Sequence, residues 1–207
     1  MRKKTGAAMA VAAFFILLCG CGVKSGNTGI PEKIQQTYEQ LPGFTAQVKI
    51  LSDLEQSTLE YGGEFEYNRE DNDIFTLKTP DALAGIVLVA SGESPANLTV
   101  QYDDTVFDTA QPARAGLTPA DVLPLLMDTI RTGAPLETWE ETVGGVKMVV
   151  ARYETEDDQG RIMRQIWFTR ESLWPSYAEL YADDQRVMQV FFSEVQQIEG
   201  SNNNEAE

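Results

Sequence analysis

The side chains able to do chemistry in this 207-residue chain are almost all carboxylates. There are 32 Asp and Glu against 16 Lys and Arg, no His, and two Cys, at positions 19 and 21. Without His, neither a Ser-His-Asp nor a Cys-His nucleophile system can be assembled. The common zinc sets, built from His and Cys, are excluded with them, and no Ser-x-x-Lys pair occurs. What is left for catalysis is a carboxylate pair or a metal held by oxygen alone. Glu64, Glu66, Glu140 and Glu141 fall in strand-like stretches, and two of them facing each other about 5–10 Å apart would suit glycoside hydrolysis. In a chain this acidic, close carboxylates arise without function, so the expectation is a non-enzymatic protein with no catalytic residue.

Four further acid pairs stand out: Asp71 with Asp73, Asp103-Asp104, Asp157-Asp158 and Asp183-Asp184. A calcium loop needs several oxygens at set spacing with a Gly and a closing Glu, and none of these segments has that pattern. All four lie where strands must reverse, and Asp favours turns by bonding its own backbone. Turn chemistry is the expectation, with no metal and no cofactor. The aromatic residues offer a different chemistry. Phe65, Tyr67, Phe75, Trp139, Trp167, Phe168 and Phe192 sit on strands, where they either line an apolar ligand groove or fill the core.

The elements that position these residues are marked by period. Pro31 to Leu41 has Pro at its start and apolar residues at 34, 38 and 41, which predicts a helix ended by Pro42-Gly43. Phe44, Ala46, Val48 and Ile50 then alternate with polar residues as a half-buried strand. Strands follow over 59–67, 74–78, 84–90, 98–102 and 106–109. A second helix is predicted with Thr118 as N-cap, Pro119 first and Gly133 as its stop. The rest is strand again: 137–143 and 146–155 around Gly144-Gly145, then 161–169, 176–181 and 186–195. About ten strands against two helices predict an α+β domain on a large antiparallel sheet.

Both ends read differently. Met1-Arg2-Lys3-Lys4, the apolar run Ala7 to Leu18 and a small residue before the cut describe a signal peptide over 1–20. The run is shorter than the roughly 20 apolar residues of a membrane span. Leu18-Cys19-Gly20-Cys21 resembles the bacterial lipobox position by position, which makes Cys21 the expected lipidated first residue of the mature protein. A diacylglyceryl group supplies two acyl chains, enough for lasting attachment. Localisation at the cell membrane, facing the extracytoplasmic side, follows. Residues 21–30 read as lipidated Cys and flexible tether, 31–198 as the domain, and 199–207 as a polar, disordered tail. With Arg2, Lys3 and Lys4 removed, 13 basic residues oppose 32 acids, a net charge of −19. Such a surface repels nucleic acid.

The order of parts carries a resemblance. An amphipathic helix leads into Phe44-Thr45-Ala46-Gln47-Val48, a long hairpin and the Leu77-Lys78-Thr79-Pro80 strand end. The Leu117-Thr118-Pro119 helix follows, then Ile166 to Pro175 (IWFTRESLWP) and Glu179-Leu180-Tyr181. This resembles the LolA/LolB/RseB-type lipoprotein-carrier fold, and more narrowly the clostridial germination lipoproteins of the GerS type. The resemblance implies a curved, half-open barrel of antiparallel strands wrapping a few helices. It also implies a protein partner, a cell-wall amidase of spore cortex modification. The wider family implies instead a carrier or sensor that takes a lipid or lipoprotein in an apolar groove. The two differ in one observable: a carrier's concavity is open, a partner-binder's is filled.

Replacing Cys21 by Ala should abolish incorporation of labelled palmitate and shift the protein from the membrane to the soluble fraction on fractionation. Retention of label in that variant would remove the lipobox reading.

Overall fold

The computed structural model describes residues 29–54, 57–91, 97–109 and 114–198. The signal peptide, Cys21, most of the tether and the acidic tail lie outside the described residues. Helix α1, Ile30–Gln40, begins behind Gly29, whose φ of 114° is open to glycine at little cost, and carries Pro31 in its first turn. Ile34 and Tyr38, four residues apart, form its buried stripe. The Leu41 N–H closes the last turn on the Thr37 carbonyl.

Eleven strands follow: β1 Gly43–Leu54, β2 Ser57–Asn68, β3 Asp73–Thr79, β4 Val87–Ser91, β5 Asn97–Tyr102, β6 Thr105–Asp108, β7 Glu137–Val143, β8 Val146–Asp157, β9 Gly160–Thr169, β10 Pro175–Ala182 and β11 Gln185–Gln197. Helix α2, Val122–Thr132, separates β6 from β7. All strands join one antiparallel sheet in the order β6-β5-β4-β3-β2-β1-β11-β10-β9-β8-β7. The chain thus starts at the centre, meanders to one edge, crosses over through α2, and meanders back from the other edge. β1 and β11 meet in the middle, with Val48 opposite Phe192 and Ile50 opposite Val190. The sheet is open, with β6 and β7 at its edges.

One face holds the core. Phe44, Ala46, Val48 and Ile50 on β1, Phe65 and Tyr67 on β2, Ile166 and Phe168 on β9, and Met188, Val190 and Phe192 on β11 are buried at alternating positions. They join Leu123, Leu126, Met127 and Ile130 of α2 in a single cluster that reaches from Leu98 on β5 to Tyr153 on β8. Laid flat, eleven strands would span about 48 Å, whereas two helices cover about 20 Å. For residues across the sheet to share one core with only two helices, the sheet must wrap around them.

Two elements begin later than their sequence predicts. Thr118-Pro119 does not open α2, because the Asp121 carboxylate turns back to accept from the Gly116 N–H (2.7 Å) and the Thr118 N–H (3.0 Å). That closes a separate turn, and the helix starts at Val122. Pro124 is harmless there, since N–H groups in a first turn have no intrahelical acceptor. The strand expected from Ala84 starts at Val87, because residues 81–83 form a short 3-10 turn and Gly85 takes φ 88°.

Gly62-Gly63 marks a register shift between β2 and β3. A Cβ on Gly63 would stand 2.1 Å from the Thr76 carbonyl oxygen, whereas one on Gly62 would sit in ordinary contact, 3.4 Å from Thr79. Gly63→Ala is therefore expected to cost about 1–3 kcal/mol in urea unfolding, and Gly62→Ala less than about 1 kcal/mol. Equal losses would mean that the close approach is not what fixes Gly63.

Candidate functional site

The inner face of the sheet is where a carrier of this architecture would hold an apolar guest. Here side chains occupy it. Tyr38 of α1 lies edge-on to Phe168, ring centres 6.0 Å apart, and donates its hydroxyl to the Leu173 carbonyl at 3.0 Å. Burial pushes that phenol well above its ordinary pKa, with Tyr153 and Tyr67 adding to the effect, so it stays a donor. Phe44 packs against Phe65 at 6.0 Å, Tyr67 at 5.5 Å and Trp174 at 5.7 Å. Tyr38, Phe44, Phe65 and Phe168 have no exposed surface. Arg164 is also buried on this side, reaching Thr155 at 3.1 Å, and desolvation lowers its pKa against the pull of Asp121 and Asp128.

Of the seven aromatic residues singled out from the sequence, the structure gathers five on this inner face: Phe65, Tyr67, Phe75, Phe168 and Phe192. Trp139 and Trp167 belong to the opposite face, in a second cluster with Met148, Val150 and Tyr177. That cluster is the middle of a cross-strand row. Trp139 faces Val150, Val150 faces Trp167, Trp167 faces Tyr177, Tyr177 faces Phe191 and Phe191 faces Lys49. Ring centres are 4.9 Å apart for Trp167–Tyr177 and 4.8 Å for Tyr177–Phe191. Cations close both ends: Lys49 Nζ lies 4.8 Å from the Phe191 ring, and the Arg152 guanidinium 5.5 Å from the Trp139 ring. Val150 is fully buried although it points away from the helices. A sheet face that would otherwise be polar thus carries its own small core.

Sequence reasoning missed Tyr177, Phe191 and Lys49. The available signal was the unbroken apolar run Ile166-Trp167-Phe168, which buries both faces of β9.

Glu141 ties the row together. Its Oε2 accepts from Trp139 Nε1 at 3.2 Å and its Oε1 from Trp167 Nε1 at 2.5 Å. Three strands away on β10, Glu179 accepts from the hydroxyls of Tyr177 (2.8 Å) and Tyr181 (2.7 Å). Burial raises the Tyr177 phenol to about 12. Two of the other candidate carboxylates are ion-paired. Glu64 pairs with Lys78 at 3.0 Å, and that bond and charge hold its carboxyl below the usual range. Glu140 pairs with Arg170 at 2.5 Å. Glu64 and Glu66 lie on β2, six strands away from Glu140 and Glu141 on β7, so the sheet does not make neighbours of the two pairs. The acid pairs sit at turns: Asp103 has φ 50°, and Asp183 and Asp184 have φ 49° and 66°. Among the described residues, no three acids come together in a metal-holding group.

No family model matches the chain, and no curated protein matches it. Solved structures do. A DUF1329 family protein from Desulfovibrio piger is 10% identical, over 82% of this chain and 91% of its own, with a TM-score of 0.48. LolA superfamily proteins stand among the structural neighbours. One from Nitrosomonas europaea is 13% identical over 82% of this chain and 94% of its own, with a TM-score of 0.43. The structure of the CwlD amidase from Clostridioides difficile in complex with the GerS lipoprotein matches at 11% identity, over 97% of this chain and 98% of the matched chain, with a TM-score of 0.34. Likeness at this level carries no function with it.

Glu141→Ala leaves two indole N–H groups without their acceptor, one of them on Trp167, which is only 9% exposed. A loss of about 1–3 kcal/mol is expected, with altered tryptophan emission from the folded state. Glu140→Ala, which breaks a half-exposed pair, should cost under about 1 kcal/mol. Equal and small effects would show that the row does not depend on Glu141.

Proposed function

We propose that this chain is a membrane-anchored, non-catalytic lipoprotein that binds and regulates a protein partner on the extracytoplasmic side. The partner we propose is a cell-wall amidase of spore cortex modification. The observation that supports the reading is that Tyr38, Phe44, Phe65 and Phe168 fill the part of the inner face they occupy, although a cavity stays open between the β2–β3 turn and α2. The anchor is Cys21, as the lipobox implies, and the amidase is the partner implied by the order of motifs along the chain.

A partner needs a surface, and two hairpins offer one. Tyr102, Val106 and Phe107 of β5–β6 are each half exposed or more, and so are Val143 and Val146 of β7–β8. Both hairpins end in an edge strand, where a partner's chain can extend the sheet through backbone hydrogen bonds.

The full chain, extracted in a non-ionic detergent and mixed with the purified amidase, should give a stoichiometric complex by size exclusion and change the amidase's activity on peptidoglycan. Phe107→Asp or Val143→Asp should weaken the complex at least tenfold while the fold is kept. Bound lipid or acylated peptide at one equivalent, with no amidase complex, would overturn this reading in favour of a carrier. Peptidoglycan hydrolysis by the chain alone would overturn its non-catalytic part.

A further inference from the structure

The two edges of the sheet are not alike. β7 is charged, but two of its carboxylates are already paired, Glu137 with Arg152 at 3.1 Å and Glu140 with Arg170 at 2.5 Å. β6 forms the other edge, next to β5 and β4. The stretch from Thr79 to Ala113, which contains all three of these strands, holds five acids (Asp81, Glu93, Asp103, Asp104 and Asp108) and no basic residue. Asp103 and Asp104 are exposed at the β5–β6 turn. Neither has an ion pair among the described residues.

The backbone of β6 is open as well. Residues that exchange hydrogen bonds alternate along an antiparallel pair. The Thr109 N–H donates to the Leu98 carbonyl at 3.3 Å, in step with the pairing of Val100 with Phe107 and of Tyr102 with Thr105. Thr105 and Phe107 therefore bond β5, and Val106 turns its N–H and C=O away from it. No described strand lies beyond β6 to meet them. Edge strands are ordinarily guarded by Lys, by Pro or by a bulge. β6 has neither residue, and its register with β5 runs unbroken.

Side chains complete the surface. Leu98 is buried in the core and Val100 packs against it. Tyr102 follows by alternation, and Phe107, opposite Val100, shares that inner face. Phe107 is 54% exposed and Tyr102 50%. Unused backbone groups, an apolar inner rim and unpaired carboxylates together fit an extended segment with apolar side chains on the inner face and cations on the other. A second copy of this chain does not fit. Pairing β6 with β6 would bring together two stretches of five acids each with no cation between them.

We propose that β6 is the strand to which the partner adds an extended segment of alternating apolar and Lys or Arg residues, hydrogen-bonded to the Val106 backbone. The inference rests on the protein-partner reading and states what that partner presents.

The test uses the full chain in non-ionic detergent at low salt, titrated into fluorescein-Lys-Val-Lys-Val-Lys-Val-Lys-amide and followed by anisotropy. Saturable one-to-one binding is expected. It should weaken at least tenfold when the peptide carries Glu for Lys, and likewise in the Asp103→Asn, Asp104→Asn double variant. Val106→Pro removes an N–H that β5 does not use, so it should keep the fold and weaken binding at least tenfold. With valines opposite Phe107, the lysines lie opposite Val106. N-methylation of the lysines should abolish binding, and N-methylation of the valines should not. That comparison decides alone if Val106→Pro fails to fold. Absence of saturable binding would overturn the proposal, as would equal binding of the Glu peptide or unchanged affinity in Val106→Pro. A dimer of the chain in sedimentation, lost in Val106→Pro, would overturn it in favour of a second copy. The same variant separates this inference from the reading it rests on. An amidase complex untouched by Val106→Pro sinks the β6 inference alone, and peptide binding through Val106 with no amidase complex sinks the amidase alone.

Discussion

Everything in this molecule depends on one apolar sheet face having to leave water. Eleven strands alternate, so one face of the sheet gathers most of the hydrophobic residues, and among the described residues two α-helices of eleven residues each cover them. The sheet closes most of the deficit itself, by wrapping, and the helices complete it from inside. Tyr38 shows how closely the two layers are matched. Its ring packs on β9 and its hydroxyl is spent on a carbonyl 135 residues away, so α1 is held by geometry as well as by burial.

The second face has a different solution. On its β7-to-β1 half, Trp139, Val150, Trp167, Tyr177 and Phe191 form a row in cross-strand register. Directly opposed side chains are the unit of sheet stabilisation, and here five in succession share one line. Carboxylates serve the polar atoms of these rings, since Glu141 and Glu179 accept from two indoles and two phenols. Part of the chain's acidity is therefore spent on internal hydrogen bonds, and the buried Asp121 is spent in the same way on the turn before α2.

Much of this was legible in the sequence, because period-two alternation is a local property. Residues 44–50 and 186–192 announced their strands, Gly144-Gly145 announced its hairpin, and the antiparallel α+β class followed. The start of α2 was not legible, because Asp121 can cap forward or close a turn backward, and only the position of Gly116 decides. Strand alternation sets Phe168 and Trp167 on opposite faces, but the sequence did not say which face meets the helices and which carries the second cluster. The cavity beside Asp73 was further out of reach. Asp71 and Asp73 read as turn formers, and they are, but their partners on α2 lie more than fifty residues away. A cavity assembled by wrapping leaves no spacing to recognise.

The central pairing of β1 with β11 has a consequence for how the molecule comes into being. The strand formed first and the strand formed last are neighbours, and together they join the two meanders. Neither half owns a complete core, because both helices pack on residues from each. The chain therefore has no independent N-terminal unit that could settle while the remainder is still being made, and its decisive contacts span nearly the whole domain. Such topologies fold slowly, since loop closure is spent before long-range contacts repay it. A polypeptide of this design cannot complete its core until its final strand is delivered.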